Sequence, residues 1–96
     1  MLGRLHEKVE WSVQMALQAL DASSPDMALR VIQAKEELTE IADELERHLG
    51  VRLSSEDHDR LPLFKLETDV TEYLRRVYYF SKRIARLVAS VDAGRS

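Results

Sequence analysis

Apolar side chains recur three and four residues apart along most of this chain, which is the spacing of one face of an α-helix. The most regular series runs from Leu63 to Val91 without a missed position, and it has no strand interpretation. It predicts a helix over residues 61–91 whose apolar stripe packs against neighbouring helices of the same chain or of a paired copy. This stripe consists of Leu63, Leu66, Val70, Tyr73, Val77, Phe80, Ile84, Leu87 and Val91.

Two further helices are predicted upstream, over residues 2–21 and 25–53. On the first, Trp11 and Met15 flank the apolar stripe, and core packing is the favoured role for both over docking of a partner. The predicted core positions are Leu2, Leu5, Val9, Val13, Ala16 and Leu20 in the first helix, and Val31, Ala34, Leu38, Ile41, Leu45 and Leu49 in the second.

Turn-forming residues mark the ends of these helices. Ser24 is placed to cap the second helix, and Pro25 suits its first position. The second helix ends either at Gly50 or one turn later, at Leu53, because glycine serves as a C-terminal cap but is also tolerated inside helices. Residues 54–60 form the second loop. Since short loops join antiparallel neighbours, the pattern predicts an all-α, antiparallel up-down-up three-helix bundle.

Composition narrows this picture in three ways. The chain has 96 residues, so we expect a single domain over 1–96. It has no cysteine, so the core must stabilise it without disulfides or thiolate metal sites. It has no apolar run long enough to span a bilayer and no signal-peptide pattern, which predicts a soluble, cytoplasmic protein. Whether it is a free protein or a domain of a longer chain is open.

Candidate catalytic and metal-binding groups are sparse. There is no cysteine nucleophile, no glycine-rich phosphate loop and no Gly-x-Ser-x-Gly turn. His6, His48 and His58 each lack a second histidine three or four residues away, as a pair of metal ligands on one helix requires. The carboxylates of residues 36–46 are spread around the helix, which is typical of a solvated surface. We therefore expect no enzyme activity, no metal and no cofactor.

The last predicted helix carries a cationic strip opposite its apolar stripe. Such a strip could bind phosphate groups, anionic lipid or an acidic protein surface. Alternatively, it is a solvated face that pairs with acidic neighbours such as Glu72 or with the middle helix. The second interpretation is favoured, and nucleic acid is disfavoured, because the net charge of the chain is −3. The strip consists of Arg75, Arg76, Tyr79, Lys82, Arg83 and Arg86.

Three stretches of the middle and last helices carry a family resemblance. Residues 35–49 read KEELTEIADELERHL, residues 48–53 read HLGVRL, and residues 73–85 read YLRRVYYFSKRIA. Together they resemble the PhoU-like domain, a three-helix unit found at the cytoplasmic C-terminus of sodium/phosphate cotransporter family proteins. The resemblance covers residues 27–91. In metal-binding PhoU proteins the last helix has two carboxylates four residues apart, and this chain has Arg75 and Tyr79 there, so no metal site carries over.

The resemblance implies a non-catalytic accessory or regulatory domain of phosphate transport that acts by helix-mediated protein contacts. Its parent or partner would be a membrane transporter, which would place it at the inner face of the membrane. Two alternatives remain. One is an anion-binding module that uses the cationic strip to hold nucleic acid or an anionic membrane. The other is a homo-oligomer, suggested by the long regular stripe on the last helix.

Overall fold

Helices make up the described part of the chain. The computed structural model describes residues 2–55 and 61–93, with no strand in either range. Four helical segments follow one another: α1 is Leu2–Ala22, α2 is Pro25–Gln33, α3 is Lys35–Ser55 and α4 is Leu61–Ala93. They form an elongated helical bundle of 60 × 18 × 16 Å. The predicted all-α class is therefore confirmed.

A tight turn joins α1 to α2. Ser23 adopts a left-handed backbone with φ of 49°, which ends α1. The N–H of Ser24 then donates to the carbonyl of Ala19 at 2.9 Å. The hydroxyl of Ser24 accepts from the N–H of Met27 at 3.3 Å, and Pro25 takes the first helical position. The predicted cap is thus confirmed, and it satisfies one of the free N–H groups at the start of α2.

The middle helix is not continuous, contrary to the prediction for residues 25–53. It is divided at Ala34, whose N–H is shared between the carbonyls of Arg30 at 3.2 Å and Val31 at 3.3 Å. Such sharing tightens one turn towards 3₁₀ geometry, which separates α2 from α3 without reversing the chain. Beyond this break α3 passes through Gly50 and ends at Ser55, so residues 54 and 55, predicted as the start of the second loop, are helical. The remaining predicted loop residues 56–60, which include His58, lie outside the described residues.

The core confirms the predicted inner positions of the middle helix. All six, from Val31 to Leu49, are buried. In α1 the outcome is mixed, because Leu20 is exposed and Ala19 takes the inward position near the end of the helix. Trp11 and Met15 pack against the core at half-buried positions, as favoured. The buried apolar residues of α1 are Leu5, Val9, Ala16 and Ala19, and those of α2 and α3 are Ala28, Val31, Ala34, Leu38, Ile41, Ala42, Leu45 and Leu49.

The inner face of α4 is not the predicted apolar stripe. It is built largely from small side chains, and its largest residue, Tyr78, donates its hydroxyl to the carbonyl of Val31 at 2.8 Å. Thr71 and Ser81 donate their hydroxyls to carbonyls one turn earlier in α4, so both can be buried without loss of hydrogen bonding. We call the following buried set the inner face: Thr71, Tyr78, Ser81, Lys82, Ala85 and Val88.

The prediction that the apolar stripe of α4 packs against helices of the same chain is therefore wrong. Seven of its nine residues are exposed, and only Val70 and Ile84 are partly buried. The physical reason is the size of the competing side chains. Small residues such as Ser81 and Ala85 let α4 lie close to α1 and α2, whereas the larger stripe would hold the helices apart. The stripe points about 105–120° away from the inner face around the helix axis.

Candidate binding surfaces of the last helix

The cationic strip does not form one continuous surface, because its first member is neutralised by α3. Arg75 Nη2 lies 2.8 Å from Asp43 Oδ1, and Arg75 Nε donates to Glu46 Oε1 at 3.2 Å. Burial alone would lower the pKa of Arg75, but these two carboxylates outweigh it and raise the pKa above its ordinary value. At this position the strip pairs with the middle helix, which is one of the two interpretations of the sequence.

Lys82 is the second member that does not face solvent freely. Lys82 is only 9% exposed, and its aliphatic stem lies on the inner face. Its Nζ is 5.8 Å from the centre of the Tyr79 ring. Burial lowers the pKa of Lys82, and the positive charges of Lys35 and Arg86 lower it further. The charged form of Lys82 is therefore less favoured in the folded chain than in the unfolded chain.

Replacing Lys82 with methionine should stabilise the protein, because methionine keeps an apolar stem and removes repulsion from Arg86, one turn away. We expect the free energy of unfolding at pH 7 to rise by about 0.5 kcal/mol, the usual size of such a like-charge pair. Urea unfolding measures this, and Lys82→Arg, which retains the charge, is the control. A loss of stability in Lys82→Met would contradict the expectation.

The pH dependence of stability gives a second check on Lys82. Its folded pKa lies below the ordinary value of 10.5, so just below that pH the unfolded chain binds more protons and stability rises with pH. The Lys82→Met variant should lack this rise. Tyr78 acts in the opposite direction, because burial raises its pKa above 10.0 and its contribution is lost as pH increases further.

The other four members of the strip are exposed. Arg76, Tyr79, Arg83 and Arg86 all lie on the solvent side of α4. The guanidinium of Arg76 lies 5.9 Å from the centre of the Tyr73 ring, and the rings of Tyr79 and Phe80 meet edge to face at 5.9 Å. These contacts tie the cationic side of α4 to its apolar side. The two surfaces are thus adjacent strips of one exposed helix face.

The apolar strip is the more unusual of the two. We call it the outer apolar face and define it as the nine stripe residues from Leu63 to Val91. Tyr73, Phe80 and Leu87 are 63%, 59% and 65% exposed. The face extends over about 42 Å of helix, at about 1.5 Å per residue. Contiguous exposed apolar surfaces of this extent generally mark sites of protein or membrane contact.

A shallow hollow lies on the surface between α1 and α3. Lys8 Nζ lies 3.0 Å from Glu37 Oε2 and 4.4 Å from the centre of the Trp11 ring. The hollow has a volume of about 230 Å³. Pockets for small molecules usually occupy about 300–1,000 Å³ and are mostly enclosed. The Lys8–Glu37 ion pair joins α1 to α3, and the Lys8–Trp11 contact lies within α1.

The described ranges contain neither a cluster of metal-binding side chains nor a helix that could span a membrane. His6 and His48 are exposed. Across residues 2–55 and 61–93, no group of three or more histidine, cysteine, aspartate or glutamate side chains is placed to hold a metal ion. No described helix is both long enough and apolar enough to cross a bilayer.

Compared with protein-family models, curated proteins and solved structures, the chain matches none, so its likeness to the PhoU-like domain stays a prediction.

Proposed function

We propose that this chain is a non-catalytic domain that acts by binding other protein surfaces along α4. The observation that carries the proposal is the exposure of the outer apolar face, with Phe80 and Leu87 about three-fifths in solvent. Leaving such side chains in water forgoes about 25 cal/mol for each Å² of apolar surface that could be buried. A protein partner that covers the face recovers this free energy.

The proposed arrangement is an antiparallel up-down-up bundle of three rods, with α2 and α3 together forming the middle rod. Two observations support this arrangement. Only Ser23 and Ser24 separate α1 from α2, and this short turn favours a reversal of direction. Lys8, near the start of α1, pairs with Glu37, which lies just past the break in the middle rod. In this arrangement α4 keeps one side free for a partner.

The biological setting that we propose is accessory or regulatory control of phosphate transport, with a sodium/phosphate cotransporter as parent or partner at the inner face of the membrane. This part rests on the resemblance of residues 35–49 and 73–85 to the PhoU-like domain. Arg75 fits the same reading, because it replaces a carboxylate of the metal-binding relatives and forms ion pairs with Asp43 and Glu46. The position has a structural partner in place of a metal.

Anion binding is a second candidate function, favoured by one observation. Arg86 is exposed and lies close enough to Lys82, which in turn is close to Lys35, for these charges to lower the pKa of Lys82. A bound anion would relieve that repulsion. Affinity for an anionic vesicle or a nucleic acid should then fall steeply with salt and should weaken in an Arg83→Gln, Arg86→Gln double variant. Binding that is unchanged by salt would exclude this candidate.

The phosphate-transport setting is tested in cells of the source organism that lack the gene. We expect altered phosphate uptake, restored by the wild-type chain but not by a chain carrying Phe80→Glu and Leu87→Glu on the outer apolar face. Leu29→Glu, at a leucine on α2 that is 48% exposed, is the matched control and should restore uptake. Unaltered uptake in the deletion strain would refute the link to phosphate transport.

A further inference from the structure

We infer that the outer apolar face is covered by a second copy of the same chain, with the two α4 helices side by side as a parallel two-stranded coiled coil. The inference rests on the proposed role of α4 in protein binding and names the occupant of its face. It is independent of phosphate transport. Three features of the described chain support it: the order of side chains along the face, its direction relative to the bundle, and its length.

The order of side chains is the first feature. The nine residues alternate three and four apart, which is the heptad spacing that keeps one seam of two helices in contact. One half of the seam is rich in β-branched residues and the other in leucine and aromatic residues. β-Branched side chains at the first position with leucine at the second favour parallel dimers over higher oligomers. The first set is Leu63, Val70, Val77, Ile84 and Val91, and the second set is Leu66, Tyr73, Phe80 and Leu87.

The direction of the face is the second feature. A partner helix on the outer apolar face would lie about 105–120° around α4 from the inner face, so it would not compete with α1 or α2 for space. One flank of the seam, with Arg76 and Arg83, is exposed, whereas the other, with Ser81 and Val88, is buried against the bundle of the same chain. A partner helix therefore packs on the seam itself, beside the arginines, and leaves Ser81 and Val88 in their own core.

An antiparallel pair sets the flank that carries Arg76 and Arg83 against the identical flank of the partner. With the two seams centred on each other, Asp69 of each copy faces Arg83 of the other, and the two Arg76 side chains face each other. Only the Arg76 pair is repulsive, so charge does not decide between the two orientations. The parallel orientation rests on the order of β-branched and leucine or aromatic residues along the seam.

The length of the face is the third feature. A seam about 42 Å long and about 10 Å wide has a flat footprint of roughly 400 Å² on each copy. Interdigitated side chains bury more surface than the flat footprint, which brings the contact towards the roughly 600–1,000 Å² per partner of specific interfaces. A second copy aligned along the whole of the face therefore provides the area that a stable dimer needs.

Light scattering after size-exclusion chromatography tests the dimer. We expect the wild-type chain to have twice the monomer mass at micromolar concentration. Phe80→Glu and, separately, Leu87→Glu should weaken association at least a hundredfold, because each places a charge in the seam of both copies. Leu29→Glu should remain dimeric. Circular dichroism confirms that each variant is helical, and because both seam residues are exposed in the single chain, folding should not depend on them.

Cysteine substitution tests the parallel orientation, and the absence of native cysteine makes the background clean. Leu66→Cys and Leu87→Cys lie at opposite ends of the seam. In a parallel pair each variant should form a disulfide-linked dimer by itself with oxidised glutathione, since like positions face each other. If cross-linking needs a mixture of the two variants, the pair is antiparallel and the proposed orientation is wrong.

The outcomes separate this inference from the proposed function. A monomeric wild-type chain at 100-fold higher concentration would overturn the dimer, but the uptake experiment would still decide whether α4 acts through another protein. A dimer that survives both Phe80→Glu and Leu87→Glu would place the interface elsewhere and overturn the inference too. Conversely, unaltered phosphate uptake with a dimer that fails in the seam variants would refute the cellular role and support the inference.

Discussion

Glutamate at position 85 is expected to remove a large part of the stability of the protein, whereas glutamate at position 87 leaves the stability nearly unchanged. Ala85 is 0% exposed and Leu87 is 65% exposed, although they are two residues apart on α4. An unpaired charge at a buried position costs about 3–5 kcal/mol, and a domain of this size has only about 5–15 kcal/mol in total. The smaller residue is therefore expected to be the more sensitive one.

Urea unfolding of both variants in the Phe80→Glu background measures this difference without a contribution from association. We expect Ala85→Glu to lower the free energy of unfolding by about 3–5 kcal/mol and Leu87→Glu to change it by less than about 0.5 kcal/mol. Ala85→Ser, which adds a hydroxyl that can donate to a carbonyl one turn earlier, separates charge from size. Equal losses in the two glutamate variants would mean that α4 is rotated about its axis.

Truncation of Leu5 should have the next largest effect. Leu5 is 0% exposed and is among the largest fully buried side chains of the described residues. Leu5→Ala removes its methyl groups and leaves a cavity, and substitutions of this kind cost about 2–5 kcal/mol. For a domain of this size the melting temperature should fall by roughly 4–8 °C for each kcal/mol.

Leu17→Ala is the matched control for Leu5→Ala. Leu17 lies on the same helix and is 49% exposed, so we expect a loss below about 1 kcal/mol. Calorimetry of the two variants beside the wild type makes the comparison. If both substitutions cost the same, the described orientation of α1 would be incorrect.

The helices could be predicted from the sequence because their spacing depends on local chemistry. The cap at Ser24 follows from the hydroxyl of one residue and the N–H of another three positions later. In the middle helix the core could also be predicted, since a single apolar stripe was present and all six of its positions are buried. The break at Ala34 could not, because alanine carries no sequence signal for a turn and the tightening arises from hydrogen bonds to Arg30 and Val31.

The orientation of α4 could not be predicted from the spacing of its apolar residues. Its strongest apolar stripe faces out, and its inner face contains Thr71, Ser81 and Lys82, which add little to an apolar pattern. Helix spacing identifies which residues share a face but not which face meets the rest of the chain. That choice depends on how closely backbones can approach, which is a property of the assembled helices.

The cationic strip could likewise be predicted only in part. All six of its residues could be identified from the sequence, but the pairing of Arg75 and the burial of Lys82 could not. Arg75 is paired because Asp43 and Glu46 reach it from α3, at sequence separations of 32 and 29 residues. The alignment between two helices sets such pairs, and single-helix periodicity contains no information about it.

On α4, packing of the bundle and recognition of a partner depend on different side chains: the small residues of the inner face serve the first and the exposed residues the second. Ala85 is fully buried, so a larger side chain there must displace its neighbours, and this side of the helix has little freedom to vary. Phe80 and Leu87, on the opposite side, can be exchanged with little effect on folding. Natural drift or protein engineering could therefore change which molecule this helix recognises while the architecture beneath it stays intact.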